Sequence, residues 1–380
     1  MNRTAEVLFS LIRYEVLDGE YTREPAELED AKLIASVCSL AAMHDLAHLV
    51  ADALGRLSVV PADEKLANSL GREQLKAIFR AERMDGELEA ICELFEKEKI
   101  EFLPLKGAVI RELYPEKWMR TSCDIDILVR KEDMARASDA LCGTLGYSKE
   151  AEGDHDVGFK SGSGIRLELH FSLGGEEREL KIFKNVWEHT YAKEDGAFRK
   201  YMSDDFFYLY HIAHMAKHLE NGGCGIKPLL DLAFITASGD RLLEDNNLKS
   251  FADAAQRLSR VWFAGAERDR LASELEDYIL RAGVYGNVSN AVAVGQIKRG
   301  GKFKYIMSRI FLPYGTLKYQ YPILMKHRWL TPAYQVRRWF KLLLCGGVKR
   351  SLGEIKVNSD MTSERSESVA KLFSELGLGR

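Results

Sequence analysis

Asp124 and Asp126 stand two apart in the run CDIDILV. On an extended chain that spacing sends both carboxylates to one face, while Ile125 and Ile127 point to the other. Two like charges held so close repel each other unless a cation lies between them. Oxygen donors suit a hard ion such as magnesium, which keeps several waters and completes its shell with substrate phosphates. Glu168, between Leu167 and Leu169 in IRLELHF, shows the same alternation. A third carboxylate on a neighbouring strand would complete a site for one or two ions, one activating an attacking oxygen and the other the leaving group. The catalytic candidates and the metal ligands are thus the same three residues, Asp124, Asp126 and Glu168.

The side chains around them are each open to more than one reading. Arg120 and Ser122 precede the acidic strand, where a guanidinium and a hydroxyl would hold a phosphate oxygen, or Arg120 is a plain surface arginine. Lys106 either offsets polyphosphate charge or is solvated at a strand end. His170 shares the face of Glu168, where it orients that carboxylate, touches substrate, or serves as a hydrogen-bonded structural histidine. His211, His214 and His218 fall at spacings of three and four on one helical face. Substrate contact, transition-metal binding and packing are the alternatives for them, and no HExxH glutamate accompanies them. Asp231 in LLDLAF pairs with one of these histidines, with Lys217, or makes an ordinary buried polar contact.

The elements that must position these groups follow from hydrophobic period. Residues 31–99 carry a helical stripe, clearest at Leu88, Ile91, Cys92 and Phe95. EKIEFLPLKG then reads as a short strand ending at Lys106 and Gly107, followed by a short helix through AVIRELY that Pro115 cannot continue. CDIDILV is a strand, and a helix over 131–145 ends at Gly146. DVGFKSGSGIRLELHFSL is two antiparallel strands around the SGSG turn. Helical period returns at Asp204 with YLYHIAHMAKHLE and KPLLDLAFITAS. The fold class is therefore α/β, or α+β, with a mixed sheet and helical domains on both sides. The expected divisions are a helical region over 1–85, a catalytic domain over 86–200, a helical domain over 201–355, and a polar, weakly ordered tail over 356–380, in which VAKLFSELGLG has the composition of a short helix.

The whole chain is nearly balanced, with a net charge of -3, which by itself implies no nucleic-acid or membrane partner. Between Gln296 and Arg350, however, thirteen Lys or Arg occur with no Asp or Glu, interleaved with ten aromatics that include Tyr319, Tyr321, Trp329, Trp339 and Phe340. That segment suits polyphosphate, a nucleic-acid backbone or an anionic membrane surface, against the plainer reading of an aromatic core with lysines solvated outside. Six scattered cysteines without a CxxC pair, no secretory signal and no long uncharged apolar stretch point to a cytoplasmic protein, free to lie peripherally at a membrane.

The segment LPLKGAVIRELYPEKWMRTSCDIDILV resembles the signature of the nucleotidyltransferase superfamily, a glycine turn followed by a strand with two acidic residues and a third acid on a later strand. Within it, the LKG, R-x-x-x-DID-x-LV and ELH motifs are most similar to a bacterial family of uncharacterised nucleotidyltransferases, over most of the chain. The resemblance implies metal ligation by Asp124, Asp126 and Glu168, and close backbone approach of Gly107 to a nucleoside triphosphate. Many superfamily members carry Gly or Ser after the motif glycine where this chain has Ala108. The implied reaction moves a nucleoside monophosphate onto an unidentified acceptor with release of pyrophosphate. The alternatives are a non-catalytic nucleotide- or partner-binding protein on the same fold, and an Asp-x-Asp glycosyltransferase, which leaves the glycine turn and Glu168 unexplained.

Overall fold

The computed structural model describes residues 2–24, 26–174, 177–284, 286–344 and 347–378; Cys345 lies outside them, as does the side chain of Tyr319. Five strands form the main sheet: β1 (Phe102–Pro104), β2 (Asp124–Val129), β3 (Ser148–Glu152), β4 (Asp156–Lys160) and β5 (Arg166–His170). Their spatial order is β1-β2-β5-β4-β3. Only the central pair β2 and β5 runs parallel, so the sheet is mixed.

Alternation decides what each face of this sheet does. Ile125, Ile127 and Val129 of β2 join Val157, Phe159, Leu167 and Leu169 on one side, where Leu88, Ile91 and Phe95 of the helix Glu64–Lys97 and Ala137 and Leu141 of the helix Met134–Thr144 cover them. Each such side chain contributes about 1.5–3 kcal/mol by leaving water. That burial fixes the register, because a slip of one residue would exchange the faces. Asp124, Asp126, Glu168 and His170 are left on the other face.

The covering helices have identifiable ends. Asp63 caps Glu64–Lys97 by accepting from the Lys65 and Leu66 amides. Met134–Thr144 stops before Gly146, whose φ of 69° lets the Tyr147 amide turn back to the Leu141 carbonyl, 3.1 Å away.

The chain forms two compact units, Met1–Met215 with Ile226–Ser273, and Ala216–Gly225 with Glu274–Arg380. This differs from the expected boundaries at 85 and 200. Glu64–Lys97 runs unbroken through the first of them, supplying both the N-terminal helices and the sheet with a packing face. Phe9 of the helix Arg3–Val16 stacks on Trp262 of the helix Lys249–Phe263 at 4.4 Å, which draws residues beyond 200 into the first unit. In the second unit, the tail expected to be weakly ordered holds the helix Ser363–Glu375, which buries Val369, Leu372 and Phe373. Phe373 packs edge-on against Tyr278 at 5.5 Å.

Candidate functional site

The register of β2 and β5 places Asp126 directly beside Glu168, with Asp124 one pleat away opposite Arg166. Asp126, Glu168 and His170 each offer a ligand atom, and these atoms lie within 4.8 Å of one another. Asp126 is buried, and its Oδ1 accepts from Lys106 Nζ at 2.7 Å, with His170 Nε2 at 2.8 Å from the same oxygen. His170 Nε2 also stands 3.7 Å from Glu168 Oε2. A carboxylate has about four acceptor positions, so these contacts leave Asp126 able to take a cation as well.

The charges are strongly coupled. Burial would raise the Asp126 carboxyl, but the Lys106 ammonium and the His170 ring hold it well below the usual carboxylate range. Burial would likewise lower Lys106, and the Asp126 charge holds it well above an ordinary lysine. Asp124 and Glu168 shift the other way. Burial raises both, and Asp126 raises each further by repulsion. At both carboxyls repulsion from Asp126 outweighs the pull of Lys106, which is the electrostatic condition that favours a further cation.

Lys106 reaches Asp126 through an unusual backbone. Its φ of 45° with ψ of -120° is a conformation costly for a residue with a Cβ, about 1–3 kcal/mol. The Leu105 amide anchors the turn to β2 by donating to the Asp126 carbonyl at 2.9 Å. Gly107 follows because nothing larger fits: a Cβ there would meet the Ser122 Cβ at 2.9 Å. Ser122 Oγ accepts from Arg111 Nη2 at 2.6 Å, and Arg111 Nε donates to the Gly107 carbonyl at 3.0 Å. Gly107 and Ser122 thus meet at one packed turn, as two neighbours of Lys106.

Arg120 is placed differently from the phosphate contact considered above. Its Nε and Nη2 donate to the two oxygens of Asp231 at 2.7 and 2.8 Å, and its Nη1 donates to the Thr121 carbonyl. Asp231 is fully buried and also accepts from the Tyr114 hydroxyl at 2.7 Å. A bidentate pair of this kind fixes the segment before β2 against the helix Lys227–Asp231 and leaves the guanidinium little freedom to meet a ligand.

The histidine helix Asp204–Glu220 divides in role. His211 Nε2 lies 2.9 Å from the Pro228 carbonyl, a fold contact. His214 stacks on Tyr210 at 6.3 Å. His218 belongs to the second unit. Tyr210, which the sequence pattern did not single out, is buried; burial raises its phenol, and Lys106, Asp126, Glu179 and Glu168 all act on it. Arg111 and His155, whose ring stacks on His170 at 5.9 Å, also escaped notice. The available signal for Tyr210 was its spacing of four from His214 on one helical face.

A cavity of about 520 Å³ opens on the first unit beside the same turn, lined by Leu103, Ala108 and Val109 and by Arg199, Tyr201 and Phe234. Arg199 Nε is buried there with no acceptor among the described residues. The volume is in the range of small-molecule sites.

Residues 31–266 match the model of a family described as uncharacterised nucleotidyltransferase. No curated protein and no solved structure matches the chain. The match takes in the strained turn, the acidic strands and the Arg120–Asp231 clamp, and more than half of the chain; the protein belongs to this uncharacterised nucleotidyltransferase family and is an enzyme of the nucleotidyltransferase type.

Proposed function

We propose that the protein transfers a nucleoside monophosphate from a nucleoside triphosphate to an acceptor nucleophile on the face of β2 and β5. The observation that carries this reading is the convergence of Asp126, Glu168 and His170 beside Lys106, which a strained turn holds in place. Asp124, Asp126 and Glu168 are the residues that would hold the metal, and their oxygens favour magnesium. The His170 nitrogen extends the choice to cations such as manganese. A bound divalent cation would offset charge on the phosphates and on the leaving pyrophosphate.

The chain's own groups account for the remaining steps. Lys106, together with the cation that Asp124, Asp126 and Glu168 would hold, fixes where the triphosphate lies. The acceptor oxygen forms a bond to the α-phosphorus as the bond from that phosphorus to the bridging oxygen breaks, and pyrophosphate leaves with the electron pair. The acceptor proton passes to Glu168, which burial and its two acidic neighbours make more basic than an ordinary glutamate.

Incubation with each labelled triphosphate, a divalent cation and a panel of hydroxyl and phosphate acceptors tests the reading. Label should appear on an acceptor with an equal amount of pyrophosphate. Nucleotide binding without transfer to any acceptor would favour the non-catalytic alternative.

A further inference from the structure

We propose that the second unit docks on an anionic lipid bilayer through the helix Thr331–Leu344 and the segment that leads into it. This helix turns apolar side chains outward. Val336, Phe340 and Leu344 recur every four residues and are 43%, 60% and 84% exposed, while Gln335, just ahead of Val336, is buried. Arg337 and Lys341 follow Val336 and Phe340 on the same exposed stripe. Just ahead of the helix Trp329 is 76% exposed, and Met325 in Ile323–Lys326 is 55% exposed. A helix packed for water would hide these side chains.

Charge identifies the occupant. Between Gln296 and Arg350 the sequence has thirteen cations and no carboxylate. Some of that charge is matched from outside the segment, Lys298 by Glu220 at 2.9 Å and Arg309 by Glu354 at 2.8 Å. Among the described residues no carboxylate pairs with Arg328, Arg337 or Lys341. A second copy docked symmetrically through this face would bring the same positive stripe and be repelled. A nucleic-acid backbone would satisfy the cations but offers aliphatic Val336, Leu344 and Met325 nothing. An anionic bilayer satisfies both: headgroups meet the cations, apolar side chains enter the boundary beneath them, and a tryptophan sits at headgroup depth. The contact lies on the membrane and not through it, since no helix among the described residues is long and apolar enough to cross one.

The test is co-sedimentation of the full chain with vesicles of phosphatidylcholine alone and of phosphatidylcholine mixed with phosphatidylglycerol. Binding should require the anionic lipid and weaken with added salt. Phe340→Ser with Leu344→Ser, which keeps every cation, and Arg337→Gln with Lys341→Gln, which keeps every apolar group, should each lower partitioning by about tenfold. These side chains face solvent, so an unchanged thermal melt checks that each variant folds. Wild-type tryptophan emission should shift to the blue on anionic vesicles, and Trp329→Phe should abolish the shift; this readout stands even if a double variant misfolds. Equal binding to neutral vesicles, tighter binding to single-stranded nucleic acid that the Phe340 and Leu344 changes leave intact, or a dimer in solution without vesicle binding would each overturn the proposal.

Discussion

Asp126 is where an ammonium, an imidazole and a second carboxylate meet, and its neighbours differ in how visible they were. The acids Asp124, Asp126 and Glu168 could be read from period two, because a strand that buries Ile125, Ile127, Leu167 and Leu169 must turn the residues between them outward. Tyr210 and Arg111 were harder to see, since Lys106, Asp126 and Glu168 around the first and Asp85 and Ser122 around the second come from other elements. Arg120 invited a phosphate reading because its partner Asp231 lies 111 positions along the chain. Removing that guanidinium should leave Asp231 buried and uncompensated. Arg120→Ala should therefore lose about 3–5 kcal/mol in urea unfolding, and Arg120→Lys should not restore both bonds. A loss under about 0.5 kcal/mol, the scale of an exposed arginine, would contradict the clamp. At the turn, Gly107→Ala should cost about 1–3 kcal/mol and most of the pyrophosphate release, because its Cβ would stand 2.9 Å from that of Ser122. Adding Ser122→Gly should recover part of both, whereas a steric account fails if the double variant is no better than the single.

The strands and their covering helices were largely legible because each buries one face, and amphipathic period is the imprint of that burial. Polar groups inside a helix pair leave no such imprint. Glu15 lies on a helix, Arg3–Val16, whose other buried side chains are apolar except Ser10, yet its own side chain is buried among them with Arg56 Nη1 3.3 Å away. Burial first, and then the neighbouring Asp52, push its carboxyl up to about 8. A folded pKa above the unfolded one means that the folded state keeps the proton longer. The stability Glu15 contributes is fully present below its ordinary value of 4.5 and is lost as pH rises through about 8. The melting temperature should fall over that window, and Glu15→Gln should flatten this part of the profile. Parallel profiles for the two proteins would show that Glu15 ionises as it does in water.

At the scale of the molecule, the division into two units was the least legible feature. The sequence suggests boundaries where the period changes, but the chain groups by which helices share a core, and Glu64–Lys97 continues across one such change while Phe9 meets Trp262 across more than half of the sequence. The tail misled for a related reason. NSDMTSERSES is polar, yet Thr362 caps a helix by accepting from the Arg365 amide, and Leu372 and Phe373 find a core in the second unit. The central claim is that the first unit binds a metal–nucleotide pair on the carboxylate face of β2 and β5. Its most direct test is calorimetric titration of a non-hydrolysable nucleoside triphosphate with manganese into the wild-type protein and into Asp126→Asn, with thermal melts confirming that both are folded. Loss of a partner that merely orients a metal ligand typically costs 10–100-fold in affinity, so loss of a ligand itself should weaken binding by at least about tenfold. Equal affinity in the two proteins would contradict the account.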